Sequence, residues 1–137
     1  MFTCLHGKFL YNKSILYSWC MYMKYSTELL KDVSYAFQKL KEYTPEVGEK
    51  FQEFLAATLK ESRLTLREKE LVLVGIAVAL RCEHCIAVHI KKALEAGVKP
   101  EEIAEAIALA VLMGGGPVAT TSSRAFKILD ELVEKKS

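Results

Sequence analysis

The sequence has no long apolar run, no excess of charge of one sign and no useful length of alternating strand pattern. No stretch of about 18 consecutive apolar residues occurs, the length that a membrane-spanning helix needs. The 19 basic and 17 acidic residues leave a formal net charge of only +2, without the basic stripe typical of nucleic-acid-binding proteins. We therefore expect neither a membrane nor a nucleic acid as a partner.

Cysteine is also sparse, with four residues at positions 4, 20, 82 and 85. A chain of 137 residues, 51% of them hydrophobic, can bury a core without disulfide staples, which argues against a secreted disulfide-rich mini-domain. In a cytoplasmic protein, a close cysteine pair indicates redox or metal chemistry. Cys4 and Cys20 have no partner at motif spacing, and we interpret them as incidental.

The first 23 residues contain no acid and six aromatic residues. Polar and basic residues interrupt their apolar positions, and no small-residue cleavage site follows, so they do not form a secretory signal. We expect a cytoplasmic protein with an N-terminal extension over 1–25 and a helical domain over 26–137. Met21 or Met23 is a candidate natural start, and the aromatic residues are expected to cover an apolar surface or a subunit contact.

Hydrophobic periodicity predicts consecutive helices. A first helix is expected over about residues 26–42, and Thr44-Pro45 marks the start of a second. Thr65 to Glu68 matches a capping box, which predicts the start of a third helix there. The residues expected to be buried in the first two helices are Leu29, Leu30, Val33, Phe37, Leu40, Val47, Phe51, Phe54, Leu55 and Leu59.

The third helix is apolar on all sides from Leu71 to Leu80 apart from Gly75, which predicts a central position. A fourth helix over about 83–96 ends at Gly97 and should form an antiparallel pair with the third. A fifth opens at Lys99-Pro100, and a last one covers about 118–135. Their inner positions are expected at Ile103, Ala106, Ile107, Ala110, Ala125, Ile128, Leu129 and Leu132.

Gly114 to Gly116, followed by Pro117, should break the chain between the last two helices. A phosphate-binding loop is the less favoured interpretation, because the Gly-x-x-x-x-Gly-Lys pattern is absent. The sequence therefore predicts an all-α, single-domain bundle of about six helices. The high apolar content indicates a further apolar face and hence a homo-oligomer.

The motif that carries chemistry is Cys82-x-x-Cys85-x-x-x-His89. On a helix this spacing places all three side chains on one face. Cys82 would lie at the helix start, where unpaired N–H groups and the helix dipole stabilise a thiolate. His89 can take or return a proton, and Glu70 on the preceding helix can orient it or accept its proton.

Other interpretations of these residues remain open. Cys82 and Cys85 can be small core cysteines, or they can bind zinc together with His89 and either Glu70 or His84. His84 can point into solvent.

Two charged residues near the motif, Glu70 and Arg81, also have a structural interpretation. Glu70 can be a surface residue paired with Arg67 or Lys69. Arg81 is interpreted as a cation at a helix end.

Glu70 followed by Cys82-x-His84-Cys85-x-x-x-His89 resembles the signature of the AhpD-like (alkyl hydroperoxidase D-like) branch of the carboxymuconolactone decarboxylase superfamily. The segments 93–103 and 113–117 also resemble its small members, and the similarity covers about residues 45–133. It implies an all-α fold and homo-oligomers, commonly trimers or hexamers. The decarboxylase branch lacks the paired cysteines, so lactone decarboxylation is disfavoured.

The resemblance also implies a role for each residue of the motif. Cys85 would attack a peroxide, and Cys82 would supply a proton and then close the disulfide. Glu70 and His89 would form a proton relay, and His84 matches the histidine before the second cysteine. No cofactor is implied. The expected partners are a small peroxide or disulfide substrate and a reducing dithiol protein or small-molecule donor.

These observations predict a thiol-dependent peroxidase or a disulfide oxidoreductase that cycles a Cys82–Cys85 dithiol. The alternatives are a non-enzymatic, redox-responsive oligomeric module and a Cys/His metal-binding protein.

Overall fold

The computed structural model describes residues 13–134, with side chains described from residue 25 onward. This part of the chain is all-α and contains five helices. They are α1 (Lys13–Tyr43), α2 (Pro45–Leu59), α3 (Leu66–Ala79), α4 (Glu83–Glu95) and α5 (Pro100–Glu134). The predicted all-helical class is confirmed, and the starts of α2, α3, α4 and α5 agree with the sequence signals.

The first helix, α1, begins at Lys13, well before the predicted start near residue 26. The predicted boundary between an extension and a domain therefore falls inside a continuous helix. Of its expected core positions Leu29 is buried, whereas Leu30 and Val33 are half-buried. The predictions for Cys4, Cys20 and the early aromatic side chains lie outside the described side chains.

The core is built by α3, α4 and α5, and α1 packs against α4 and α5 through the middle of its length, from Tyr25 to Asp32. Every predicted inner position of the last two helical segments is buried, from Ile103 to Leu132. On α4 the buried residues recur at three- and four-residue steps, as expected for one face of a helix. They are Ile86, Ala87, Ile90, Ala93 and Leu94.

The predicted burial of α2 is wrong for three of its five positions. Val47, Phe51 and Phe54 are exposed, Phe54 to 63%, while Leu55 and Leu59 are half-buried. The reason is that α2 packs mainly along α1, where the Phe51 and Phe37 rings stack 5.5 Å apart. Periodicity correctly indicated that α2 has an apolar face, but it could not show that this face stays exposed within the described residues.

The third helix has a central position, but it is not buried on all sides. Val74, Ala77 and Val78 are buried against its neighbours. Its opposite face carries Val72, Ile76 and Leu80, and Leu80 is 70% exposed. The prediction that this helix is buried on all sides is therefore wrong for Val72, Ile76 and Leu80, which are exposed within the described residues.

The predicted break at the glycines is a kink within α5. Gly115 has φ 63° and ψ −152°, a conformation that side chains with a Cβ rarely adopt. Two helical segments therefore meet at Gly115, where the sequence predicted two separate helices. By length and composition alone α5 could cross a membrane, and 28% of its most apolar 18-residue window is buried inside the described structure.

Candidate functional site

The turn between α3 and α4 fixes the position of the first cysteine. Cys82 N donates to the carbonyl oxygen of Ala77 at 3.1 Å, and Arg81 N donates to that of Val78 at 3.0 Å. This pair of hydrogen bonds is a Schellman motif, whose left-handed position is usually glycine. Here that position is Arg81, with φ 57°. The turn ends with Cys82 as the N-cap of α4.

Cys82 and Cys85 are joined as a disulfide, with their Cα atoms 5.3 Å apart. Both residues are half-buried, and the Sγ atom of Cys82 accepts a hydrogen bond from the backbone N–H of Cys85 at 3.3 Å. The sulfur of Cys82 thus occupies the N-cap position of α4, where a negative charge is favoured. The predicted location of Cys82 at the helix start is confirmed by this geometry.

Glu70 and His89 form a contact between α3 and α4. The Nδ1 atom of His89 lies 2.8 Å from Oε2 of Glu70. The Glu70 side chain is 1% exposed and that of His89 is 21% exposed, so the carboxylate is closed to solvent while the imidazole is partly open. A carboxylate on Nδ1 holds the ring orientation and leaves Nε2 for another proton donor or acceptor.

The alternative of Glu70 as a surface residue paired with Arg67 or Lys69 is wrong. The Glu70 side chain is buried, and both proposed partners bind other groups. Arg67 forms an ion pair with Glu102 on α5. Lys69 donates from Nζ to the carbonyl oxygens of Thr58 and Lys60, each at 2.6 Å, near the end of α2.

His84 has a different environment from His89. Its side chain is about half exposed, and Nε2 lies 3.4 Å from Oδ2 of Asp32 on α1. At that distance the contact is weak. The structure therefore brings Cys82, Cys85, Glu70 and His89 onto the packed α3–α4 pair and leaves His84 at the surface beside them.

Sequence reasoning missed a second set of side chains at the start of α4. Glu83, between the two cysteines, accepts a hydrogen bond from the Tyr25 hydroxyl and forms an ion pair with Arg124. Arg124 Nη1 also donates to the Tyr25 hydroxyl at 3.3 Å. Tyr25 lies 58 residues from Glu83 and 99 from Arg124, so no local spacing could link them.

The geometry bears on the metal alternative as well. Within the described residues, no group of three or more His, Cys, Asp or Glu side chains gathers in a way that could hold a metal ion. The arrangement that is present is a disulfide at the start of α4 and, one helical turn after Cys85, an imidazole that is bound to a carboxylate. This arrangement suits two-electron thiol chemistry coupled to proton transfer.

Comparison with known proteins agrees with this fold. The family model of the carboxymuconolactone decarboxylase family matches residues 45–128, more than half of the chain. An uncharacterised protein of Cupriavidus necator is 32% identical over 103 residues, which cover 75% of this chain and 91% of that protein. The chain belongs to the carboxymuconolactone decarboxylase family.

Solved structures of family members are similar over most of the chain. A family protein from Legionella pneumophila, in its apo form, has a TM-score of 0.76 at 28% identity, over 80% of this chain and 97% of that one. A Thermotoga maritima family protein, for which a role in the antioxidative response has been suggested, has a TM-score of 0.71 at 28% identity. That match covers 80% of this chain and 92% of the Thermotoga chain.

Proposed function

We propose that this chain is a thiol-dependent peroxidase of the alkyl hydroperoxidase type, which cycles Cys82 and Cys85 between dithiol and disulfide. The observation that carries the proposal is the Cys82–Cys85 disulfide at the N-terminus of α4, on the same helix as His89, which binds the buried carboxylate of Glu70. The role suggested for the Thermotoga maritima family member lends support.

The first step is the attack of the Cys85 thiolate on an organic hydroperoxide. An S–O bond forms and the O–O bond breaks, so that Cys85 becomes a sulfenic acid and the peroxide is reduced. The leaving alkoxide takes the proton of the Cys82 thiol and departs as an alcohol. The proton that Cys85 lost on ionisation is held by His89, whose charge Glu70 balances.

The second step closes the disulfide. The Cys82 thiolate attacks the Cys85 sulfur, an S–S bond forms and the S–O bond breaks. The hydroxide takes the proton from His89 and leaves as water. One hydroperoxide and two thiols thus give one alcohol, one water and one disulfide. A reducing dithiol, from a protein or a small molecule, then restores both thiols by exchange.

A substrate disulfide can enter the same cycle by thiol–disulfide exchange without an oxygen-transfer step. In this proposal a cytoplasmic location fits the chemistry, because that compartment keeps dithiol donors reduced. His84 is half exposed, and in our proposal it assists entry of the substrate or of the donor while Glu70 and His89 handle the protons.

Steady-state turnover tests the proposal. Reduced protein is given an organic hydroperoxide and an excess of a recycling dithiol, and peroxide loss is followed in a Cys4→Ser/Cys20→Ser background. Many turnovers per chain are expected, with none for Cys85→Ser and strongly reduced turnover for Cys82→Ser. Arg67→Gln is the matched control, because its ion pair with Glu102 lies outside the cysteine site.

The same assay separates the competing functions. A single stoichiometric oxidation without turnover would indicate a redox-responsive module and contradict the enzyme. Zinc found by elemental analysis of protein purified without chelator, at one ion per chain and lost in Cys85→Ser, would indicate a metal-binding protein.

We also propose that the chain forms a homotrimer or homohexamer. Two groups of apolar side chains, on α3 and on α5, are exposed within the described part of the chain, and exposed apolar surface of this kind is typical of subunit contacts. They comprise Val72, Ile76, Leu80, Leu109, Leu112 and Met113. Sedimentation should give three or six chains for the wild type and a smaller species for Ile76→Glu. A monomeric wild type would contradict this proposal.

A further inference from the structure

Resting on the proposed function, we propose that Arg124 is a positioning residue that sets the reactivity of the cysteine pair by neutralising Glu83. Glu83 is the one acidic side chain within the segment Cys82–Cys85. Its carboxylate is held from two directions, by the Tyr25 hydroxyl of α1 and by the Arg124 guanidinium of α5. Three helices therefore meet at the residue between the two sulfurs.

The charge of Glu83 opposes the chemistry that the site needs. Reaction with a peroxide requires a thiolate, and the N-terminus of α4 favours that anion. An unpaired carboxylate one residue from Cys82 would compete for the same favourable field and repel the thiolate. Arg124 removes this repulsion while leaving Glu83 in place as a first-turn acid of α4.

The other charged groups around the two cysteines do not contact Glu83 in the described ion pairs. Glu70 on α3 is bound to His89, and His84 contacts Asp32 on α1. Arg81, in the turn before Cys82, is exposed. Of the described ion pairs, the Glu83–Arg124 pair joins the cysteine segment itself to α5.

Tyr25 fixes the geometry of the Glu83–Arg124 ion pair. The Tyr25 hydroxyl donates to Oε2 of Glu83, while Arg124 binds Oε1 and also donates to the same hydroxyl. The Tyr25 hydroxyl thus donates its hydrogen bond to the carboxylate and accepts one from the guanidinium. This closed arrangement restricts two otherwise mobile side chains, which is the condition under which a partly exposed ion pair has a measurable effect.

The test measures thiol reactivity directly. Iodoacetamide alkylation of reduced Cys82 and Cys85 is followed against pH by mass spectrometry, in the Cys4→Ser/Cys20→Ser background. Arg124→Gln should lower the thiolate fraction at pH 7 by about two- to fivefold, the size expected for a half-exposed ion pair. Glu83→Gln should raise it by a similar factor, because Arg124 is then a cation without its anion.

The double variant Glu83→Gln/Arg124→Gln distinguishes charge from structure. It lacks both charges, so its thiolate fraction should return to within about twofold of the wild type. Arg124→Lys should restore most of the wild-type reactivity, and Tyr25→Phe should have a smaller effect than Arg124→Gln. Arg67→Gln removes a similar interhelical ion pair elsewhere and should change nothing.

The outcomes are separable from those of the turnover assay. A shifted alkylation profile with no peroxide turnover would overturn the proposed function and leave the role of Arg124 standing. Turnover with identical alkylation profiles for the wild type and Arg124→Gln would overturn the role of Arg124. Equal losses in Arg124→Gln, Glu83→Gln and the double variant would also overturn it, because they would indicate a purely structural contact.

Discussion

The Nδ1 atom of His89 lies 2.8 Å from Oε2 of Glu70, and this contact links α4 to a carboxylate that is 1% exposed. A buried carboxylate is costly unless it is hydrogen-bonded or paired, so its retention inside an apolar helix calls for a partner of this kind. His89 is that partner, and it is also the residue one helical turn after Cys85.

Glu70→Gln should lower the rate of reaction with organic hydroperoxide by about a hundredfold, because glutamine can still bind His89 but cannot balance a proton on it. The measurement is the second-order rate constant from stopped-flow mixing of reduced protein with peroxide. Glu102→Gln, which removes a carboxylate from a surface ion pair, is the control. A Glu70→Gln rate within twofold of the wild type would contradict the proton relay.

Arg81→Gly should stabilise the fold by about 0.5–1 kcal/mol, because a residue with a Cβ pays for its left-handed conformation and glycine does not. The same Schellman motif recurs after α4, where Val98 N donates to Ala93 and the left-handed residue is Gly97, with φ 82°. Gly97→Ala should therefore destabilise the fold by about 1 kcal/mol. Urea unfolding of both reduced variants measures these changes. Changes in the free energy of unfolding that go in the same direction for both variants would contradict the prediction.

Gly48→Ala should destabilise the fold by about 1–3 kcal/mol. An added Cβ would lie 3.1 Å from Cα of Lys41 and 3.2 Å from its N, and backbone atoms cannot move aside cheaply. Gly116→Ala is the matched control, because nothing lies within 4 Å of a Cβ there. Thermal unfolding should separate the two variants. A Gly48→Ala protein as stable as the wild type would mean that α2 does not pack closely on α1.

Acid should weaken the start of α3 through Glu68. Hydrogen bonds from the Thr65 backbone and then from its side chain lower the pKa of Glu68 below its ordinary value of 4.5. A group with a lowered folded-state pKa contributes stability that is present above the unfolded pKa and is lost as pH falls through the folded one. The stability difference between the wild type and Glu68→Gln should therefore be constant above about pH 5.5 and shrink below pH 4.5.

Urea midpoints measured across this range test the Glu68 prediction. Glutamine can still form the capping hydrogen bonds, so the variant isolates the charge of the carboxylate. A stability difference that stays the same down to pH 3 would contradict it.

Local signals predicted much of the architecture. The capping box at Thr65 and the proline at position 45 marked helix starts because each satisfies or avoids an orphan backbone donor. Three- and four-residue steps identified the inner face of α5, and an acid inside an apolar helix identified Glu70 as a buried group.

The parts that could not be predicted depend on distant contacts. Periodicity shows that α2 has an apolar face but not whether the chain covers it, and Phe54 is exposed. The network of Tyr25, Glu83 and Arg124 exists only because three helices meet. The left-handed backbone conformation of Arg81 could not be predicted, because the usual sequence signal for that position is glycine.

The most direct test of the central claim is to trap the oxidised sulfur. A Cys82→Ser variant in the Cys4→Ser/Cys20→Ser background is reduced, mixed with one equivalent of organic hydroperoxide in the presence of dimedone, and digested for mass spectrometry. The prediction is a sulfenic-acid adduct on Cys85 in most chains, and a Cys82–Cys85 disulfide without adduct when Cys82 is retained. A Cys85 that stays unmodified while the peroxide persists would contradict the assignment of this chain as a peroxide-reducing dithiol protein.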